Sequence, residues 1–175
     1  RVAVIYSVGL HDMGIYSQQF TTRYPQAKIR LAYLHPHEVV EAVINDEADL
    51  GILSFPSPHR SLTIVPWHFE PMVFVCHRSH PLAKRKTVSY RDLEGENFAA
   101  FDRSLSIRKA IDRSLRQRDV TVNIAMEFDN IETIKHAITI QSGVSILPAP
   151  SVIREVEAGI LAAIPTDMPE LVRPI

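Results

Sequence analysis

The chain is short of several things, and each shortage excludes something. It holds a single cysteine, Cys76, so no internal disulfide can form, which fits the reducing cytoplasm we expect for it. No apolar run approaches the ~20 residues of a membrane span, and we expect neither a signal peptide nor a membrane partner. Formal net charge is −1, with no basic run outside Arg103 to Arg118, so nothing suggests that this segment grips nucleic acid by itself. The G-x-S-x-G elbow, the P-loop and GxGxxG are all missing. Eight histidines are scattered along the chain, and His35 and His37 flank Pro36 at a spacing poorly suited to one helix face, so we expect no metal and no cofactor. Cys76-His77 resembles a dyad, but Cys76 ends the apolar run Met72 to Val75, where a thiol acts as a small hydrophobe. Glu94 and Glu96 lie in a charged connector and read as solvated. No convincing acid–base set remains, and we expect no enzymatic activity.

What is present is ordinary for a globular chain of 175 residues, 46% hydrophobic and 22% charged. Its organising stretch is Val122 to Pro148. Val122, Ile124, Met126 and Phe128 alternate as in a strand. Asp129 and Glu132 then read as a capping box before Ile131, Ile134, Ala137 and Ile138 at helical spacing. Gly143 closes the helix, and Val144 to Leu147 is a short buried strand. Residues 28 to 53 repeat the unit. Val39 and Ile134, Ala42 and Ala137, and Val43 and Ile138 all stand 95 positions apart, as do Tyr6 and Phe101, Tyr16 and Ile111, and Phe20 and Leu115. Two strand–helix–strand–helix–strand blocks follow, residues 2 to 53 and 97 to 147, as a repeat of pattern.

In order, Val2 to Tyr6 is an apolar strand and Ser7 to Asp12 the turn after it. Met13, Tyr16, Phe20 and Tyr24 form one face of a helix that Pro25 closes. Strand Lys28 to Leu34 leads to Pro36 at a first helical position, and Val39, Val40, Val43 and Ile44 bury that helix. Leu62 to Val65 and Met72 to Cys76 read as further strands, in a largely parallel sheet with right-handed crossovers. Ser89 to Leu93 is one turn capped by Ser89. Ser151 to Glu157 is a helix, followed by strands at Ile160 to Ile164 and Leu171 to Ile175. The fold class is α/β, with two Rossmann-like lobes. Residues 1–76 plus 149–175 make lobe I and 77–148 lobe II, joined by a two-strand hinge near Cys76 and Pro148 to Val152. The chain begins at Arg1 in a strand without an initiator Met, and we expect it to be part of a longer protein.

Four motifs now stand in order: FTTRYP at 20 to 25, EADLGI at 47 to 52, HPLA at 80 to 83 and SGVSILP at 142 to 148. Together they resemble the effector-binding domain of LysR-type transcriptional regulators, over essentially the whole chain. The resemblance implies a type 2 periplasmic-binding-protein-like fold, with a ligand between the lobes that shifts the population of hinge arrangements. It also implies a homodimer or homotetramer, and DNA binding through a winged helix-turn-helix absent from these residues. A solute-binding protein of a transport system shares the fold and is the alternative, alongside an enzyme on the same scaffold and a domain that only oligomerises.

In open α/β sheets ligands sit beyond the carboxyl ends of the strands, where helix N-termini favour anions. That directs attention to 7–12, 35–37, 102–106 and 129–131, and to a small carboxylate or phosphate effector. The candidate contacts are Ser7, His11, Pro36, Asp102, Arg103, Ser104, Asn130 and Ile131. The resemblance supports the turns holding Ser7, Pro36 and Asn130, while Pro36 replaces a common Ser or Thr and Asp102-Arg103 replace common Gly and Ser. Each has a plainer reading. Ser7 caps a helix, His11 is a surface histidine, Arg103 is solvated or pairs with Asp102, and Asp129 is the helix cap. Arg108, Asp112 and Arg116, four apart, read as an exposed salt-bridged face. Tyr6, Tyr33 and Phe101 near strand ends suit either stacking on a ring or the core.

Overall fold

The structure is a computed structural model that describes residues 1–10 and 13–175. The chain divides into two compact units, Arg1–His68 with Pro174–Ile175, and Phe69–Arg173.

In the first unit the apolar run Val2–Ile5 forms β1, the middle of a parallel three-stranded sheet with β2 (Leu31–Leu34) and β3 (Leu50–Ile52) on either side. Ala3 and Val4 are fully buried, as a central strand covered on both faces requires. Register sets Ile5 beside Leu34 and Val4 beside Ile52, so all three strands finish at one edge. Three helices follow those strands or link them: α1 (Tyr6–Gly9), α2 (Met13–Arg23) and α3 (Pro36–Ile44). Pro36 takes the first helical position, and the His35 amide donates to Glu38 Oε2 at 2.8 Å, which closes the first turn of α3.

Three expectations for this unit need correction. The strand expected over Val2 to Tyr6 stops at Ile5, and Tyr6 opens the helical turn α1. Leu62 to Val65 pairs with no strand among the described residues. In α2 only Met13 is buried, while Tyr16, Phe20 and Tyr24 are 46%, 46% and 48% exposed. Helical spacing reports which residues share a face. It does not supply a surface for that face to meet.

The second unit contains β4 (Phe69–His77), β5 (Asn97–Phe101), α4 (Ser106–Arg116), β6 (Asn123–Phe128), α5 (Ile131–Thr139), β7 (Ser145–Pro148), α6 (Ile153–Glu157), β8 (Leu161–Pro165) and β9 (Val172–Pro174), whose last residue counts with the first unit. β5 and β6 are parallel, and Phe98 bridges Val144 in the same sense. Sequence expectation made the sheet largely parallel throughout. Instead β4 runs antiparallel to both β7 and β8, and also pairs with β9. These ladders hold β4 and the tail to Arg173 in the second unit, whereas the expected lobe I was 1–76 plus 149–175. The ladder on either side of β4 buries Met72 to Cys76 in succession, with Phe98, Ile134, Ile138, Ile146 and Leu147 among the other core side chains.

The repeat survives folding. Helices α3 and α5 are both nine residues long and start 95 positions apart, at 36 and 131. Strands β3 and β7 begin at Leu50 and Ser145, the same separation. Gly143 is fixed by close approach: a Cβ there would lie 2.6 Å from the Asn97 carbonyl oxygen, which accepts from Val144 N–H at 2.8 Å. The start of β7 is thereby laid against β5.

Candidate functional site

The described residues of the turns singled out by sequence lie at the carboxyl ends of parallel strands, in each unit separately. In the second unit, β5 and β6 end side by side with Phe101 opposite Phe128. The Asp102 amide donates to the Phe128 carbonyl at 2.7 Å, tying the two exit turns together. Asp102 Oδ1 then accepts from the Ser104 amide at 2.8 Å and from its hydroxyl at 2.5 Å. Those bonds, the hydroxyl first, hold the Asp102 carboxyl below its usual range. Residues 102–105 are thus a tight turn that delivers the chain to α4, which starts at Ser106 with Leu105 as its cap.

The next turn is capped differently from expectation. Asn130, not Asp129, is the N-cap of α5: its Oδ1 accepts from Thr133 N–H at 2.9 Å and Thr133 Oγ1–H at 2.8 Å. Asn130 Nδ2 donates back to Asp129 Oδ1 at 2.8 Å. A cap side chain must leave extended backbone pointing along the helix axis, and Asn130 has that conformation at φ −141° and ψ 155°. Ile131, the first residue of α5, is buried, so it can offer a ligand its backbone amide only.

Beside these turns lies an ion network that the sequence reading missed. Arg108 is not on an exposed face: its side chain is 6% exposed. Its Nε donates to Asp112 at 2.8 and 2.9 Å, and its Nη1 to the Phe101 carbonyl at 2.6 Å and to Glu127 Oε1 at 3.1 Å. Burial opposes the charge on Arg108, but the bonds to Asp112 and Glu127 outweigh it and raise the pKa. Arg103 pairs with neither solvent alone nor Asp102; its Nε donates to Glu127 Oε1 at 3.0 Å. Glu127 is held below the usual carboxylate range, first by the Arg103 hydrogen bond and then by that of Arg108. The i, i+4 spacing of Arg108 and Asp112 was visible in sequence. That α4 turns this pair toward β6 was not.

In the first unit, Ser7 lies in α1 just past β1, and Pro36 opens α3 just past β2. An aromatic cluster marks the same strand ends. Tyr6 lies 6.1 Å from Tyr33 and 6.0 Å from His35, and His35 stacks on His37 at 6.3 Å between centroids. Gly9 makes room for it, because a Cβ there would sit 2.4 Å from the Tyr33 ring. Phe101, by contrast, is 3% exposed and belongs to the core. His11 lies outside the described residues. Among those described, no group of three or more His, Cys, Asp or Glu side chains is placed to hold a metal ion.

Comparison with known proteins gives this geometry a context. The model of the LysR substrate binding domain matches residues 1–175. The chain belongs to that family. A probable RuBisCO transcriptional regulator of Cyanophora paradoxa is 32% identical over 148 residues, covering 81% of this chain and 46% of the relative. Another from Synechocystis sp. is 28% identical, covering 92% of this chain and 47% of the relative. This LysR domain therefore spans about half the length of the curated relatives it matches. Among solved structures, the CcmR regulatory domain of Synechocystis PCC6803 in complex with 2-PG superposes with a TM-score of 0.87 at 25% identity, over 99% of this chain and 83% of that one. The effector binding domain of QuiR in complex with shikimate gives 0.85 at 19% identity, over 99% and 82%, a likeness of fold. The fold of this LysR domain is accordingly the α/β, periplasmic-binding-protein-like one of regulator effector-binding domains.

Proposed function

We propose that this LysR domain senses a small anionic metabolite, a carboxylate or phosphate, through the turns at its strand ends. The observation that carries the reading is the pairing of Phe101 with Phe128, which brings the turns opening α4 and α5 out of adjacent strands. Helices of eleven and nine residues start there, each with first-turn amides and a partial positive charge directed beyond the strands. Arg103, Asn130 and the Ile131 amide are the donors we assign to the effector, with Ser104 and Asp102 shaping the turn that presents them. Ser7 and the Pro36 turn are the corresponding assignment in the first unit, and His11 stays with them as a candidate. Relatives named as transcriptional regulators, and a similar regulatory domain solved with 2-PG, support a sensor rather than a transport or catalytic role.

For the full-length protein we propose a homodimer or homotetramer that binds DNA through a segment outside these residues and works in the cytoplasm. The exposed aromatic face of α2 supports self-association, since Tyr16 and Phe20 share it, Tyr24 follows directly after the helix, and Tyr16 packs on Trp67 at 4.9 Å. No helix among the described residues is long and apolar enough to cross a membrane.

The test is a thermal-shift titration with 2-PG, inorganic phosphate and a panel of metabolic acids, repeated on Asn130→Ala and Ser104→Ala. A ligand at 100 times its dissociation constant stabilises the folded state by about 2.7 kcal/mol. A compound that shifts the parent and not the variants bears the reading out. A flat response to every anion sinks it.

A further inference from the structure

Arg103 and Arg108 share one carboxylate and could hardly differ more in their surroundings. Arg108 is buried and bonded to Asp112, to the Phe101 carbonyl and to Glu127. The Arg103 side chain is 77% exposed, and only its Nε engages Glu127 Oε1, at 3.0 Å. Arg103 is also the single cation of the turn 102–105. Glu127 is thus anchored from below by a guanidinium that cannot leave, and holds from above one that can. An exposed, single-bonded ion pair is weak and is easily exchanged for a better partner. A guanidinium bonded through Nε alone still has its two terminal nitrogens to offer, the geometry that suits bidentate binding of carboxylate or phosphate.

We infer that Glu127 is an internal competitor for Arg103, and that it sets how strongly the turn holds an anion, weakening dianions most. The inference rests on the anion-sensing reading above. An incoming anion must take Arg103 from, or share it with, a carboxylate bearing one negative charge, in a neighbourhood that also contains Asp102 and Asp129. Loss of the Glu127–Arg103 bond costs every incoming anion the same. A dianion, such as a phosphate monoester or a dicarboxylate, attracts the guanidinium more strongly, but it is also repelled about twice as strongly by the Glu127 charge that stays on Arg108. Glu127 is therefore a specificity-determining residue that narrows the turn's preference for dianions over monocarboxylates, without being a ligand itself. Effector binding would free the Glu127 carboxylate to rest on Arg108 alone.

The experiment is calorimetric titration of the 175-residue chain with inorganic phosphate and with acetate near pH 7.5, comparing the parent, Glu127→Gln, Arg103→Gln and the double variant. The parent is expected to bind phosphate more tightly than acetate. Glu127→Gln should tighten both about fivefold or more, with the larger gain for phosphate, so that discrimination widens. Arg103→Gln should weaken phosphate at least threefold, and the double variant should lose the gain of Glu127→Gln. Unchanged or weaker binding in a folded Glu127→Gln protein overturns the inference while leaving the anion reading intact. If Glu127→Gln does not fold, because Arg108 has lost a buried partner, the exposed Arg103→Gln decides: unchanged phosphate affinity there overturns the inference. A parent that binds none of phosphate, acetate or 2-PG overturns the anion reading, and the inference with it.

Discussion

Cys76 shows how position sets the behaviour of a single side chain. It is fully buried near the end of β4, opposite Ala162 of β8, and burial, with a contribution from the charge of Glu96, pushes its pKa up to about 12. Thiolate is the reactive form, so the folded protein should resist alkylation. Iodoacetamide at pH 8 is expected to leave Cys76 unmodified in buffer and to modify it fully in denaturant, as read by intact mass. Rapid labelling under native conditions would contradict the buried assignment. The sequence placed this residue correctly because it ends an unbroken apolar run. Asn130 and Asp129 show the limit of such reading, since both residue types cap helices and a one-residue difference in where α5 begins decides which one does.

At the scale of elements, β4 and β9 carry the most demanding polar feature of the fold. Glu70 on β4 and Arg173 on β9 form an ion pair whose side chains are each 2% exposed. Removing one partner strands a buried charge, at a typical cost of 3–5 kcal/mol, whereas an apolar replacement of both is often neutral or better. Arg173→Met should therefore lower stability by about 3–5 kcal/mol, and Glu70→Met/Arg173→Met should recover most of it, measured by urea denaturation. A single variant as stable as the parent would show that the pair contributes nothing. Nothing in the sequence linked two residues 103 positions apart. The repeated strand–helix–strand units were legible, because α3 and α5 each bury one side at helical spacing between short apolar strands. The expected parallel sheet failed at β4 because hydrogen-bonded partners in a sheet are chosen by the tertiary path, and alternation within one strand is blind to their direction.

For the whole molecule, acid response follows from two carboxylates of the candidate site. Asp102 and Glu127 both have pKa values lowered by folding, through Ser104 and through Arg103 and Arg108. A lowered carboxylate stabilises the fold fully above its unfolded pKa of roughly 4, and that contribution disappears as pH falls through the folded value. Melting temperature should accordingly drop below about pH 4, and the Glu127→Gln variant should show a shallower drop than the parent. Parallel curves for the two across pH 3 to 6 would mean that the Glu127 pairs add nothing to stability.

The sequence by itself determined the class of fold, the two repeated blocks, the strand ends at which helices begin, and membership of a family through four motifs in register. Those are local properties: apolar periodicity, turn residues and caps are written within a dozen residues of one another. Only the tertiary structure decided that Arg108 is buried and tied to Glu127, that β4 pairs antiparallel on both sides, that Tyr16, Phe20 and Tyr24 stay exposed, and that Glu70 meets Arg173. Each of these depends on which surface a side chain finds after the chain has returned on itself, and periodicity along the chain carries no information about that partner.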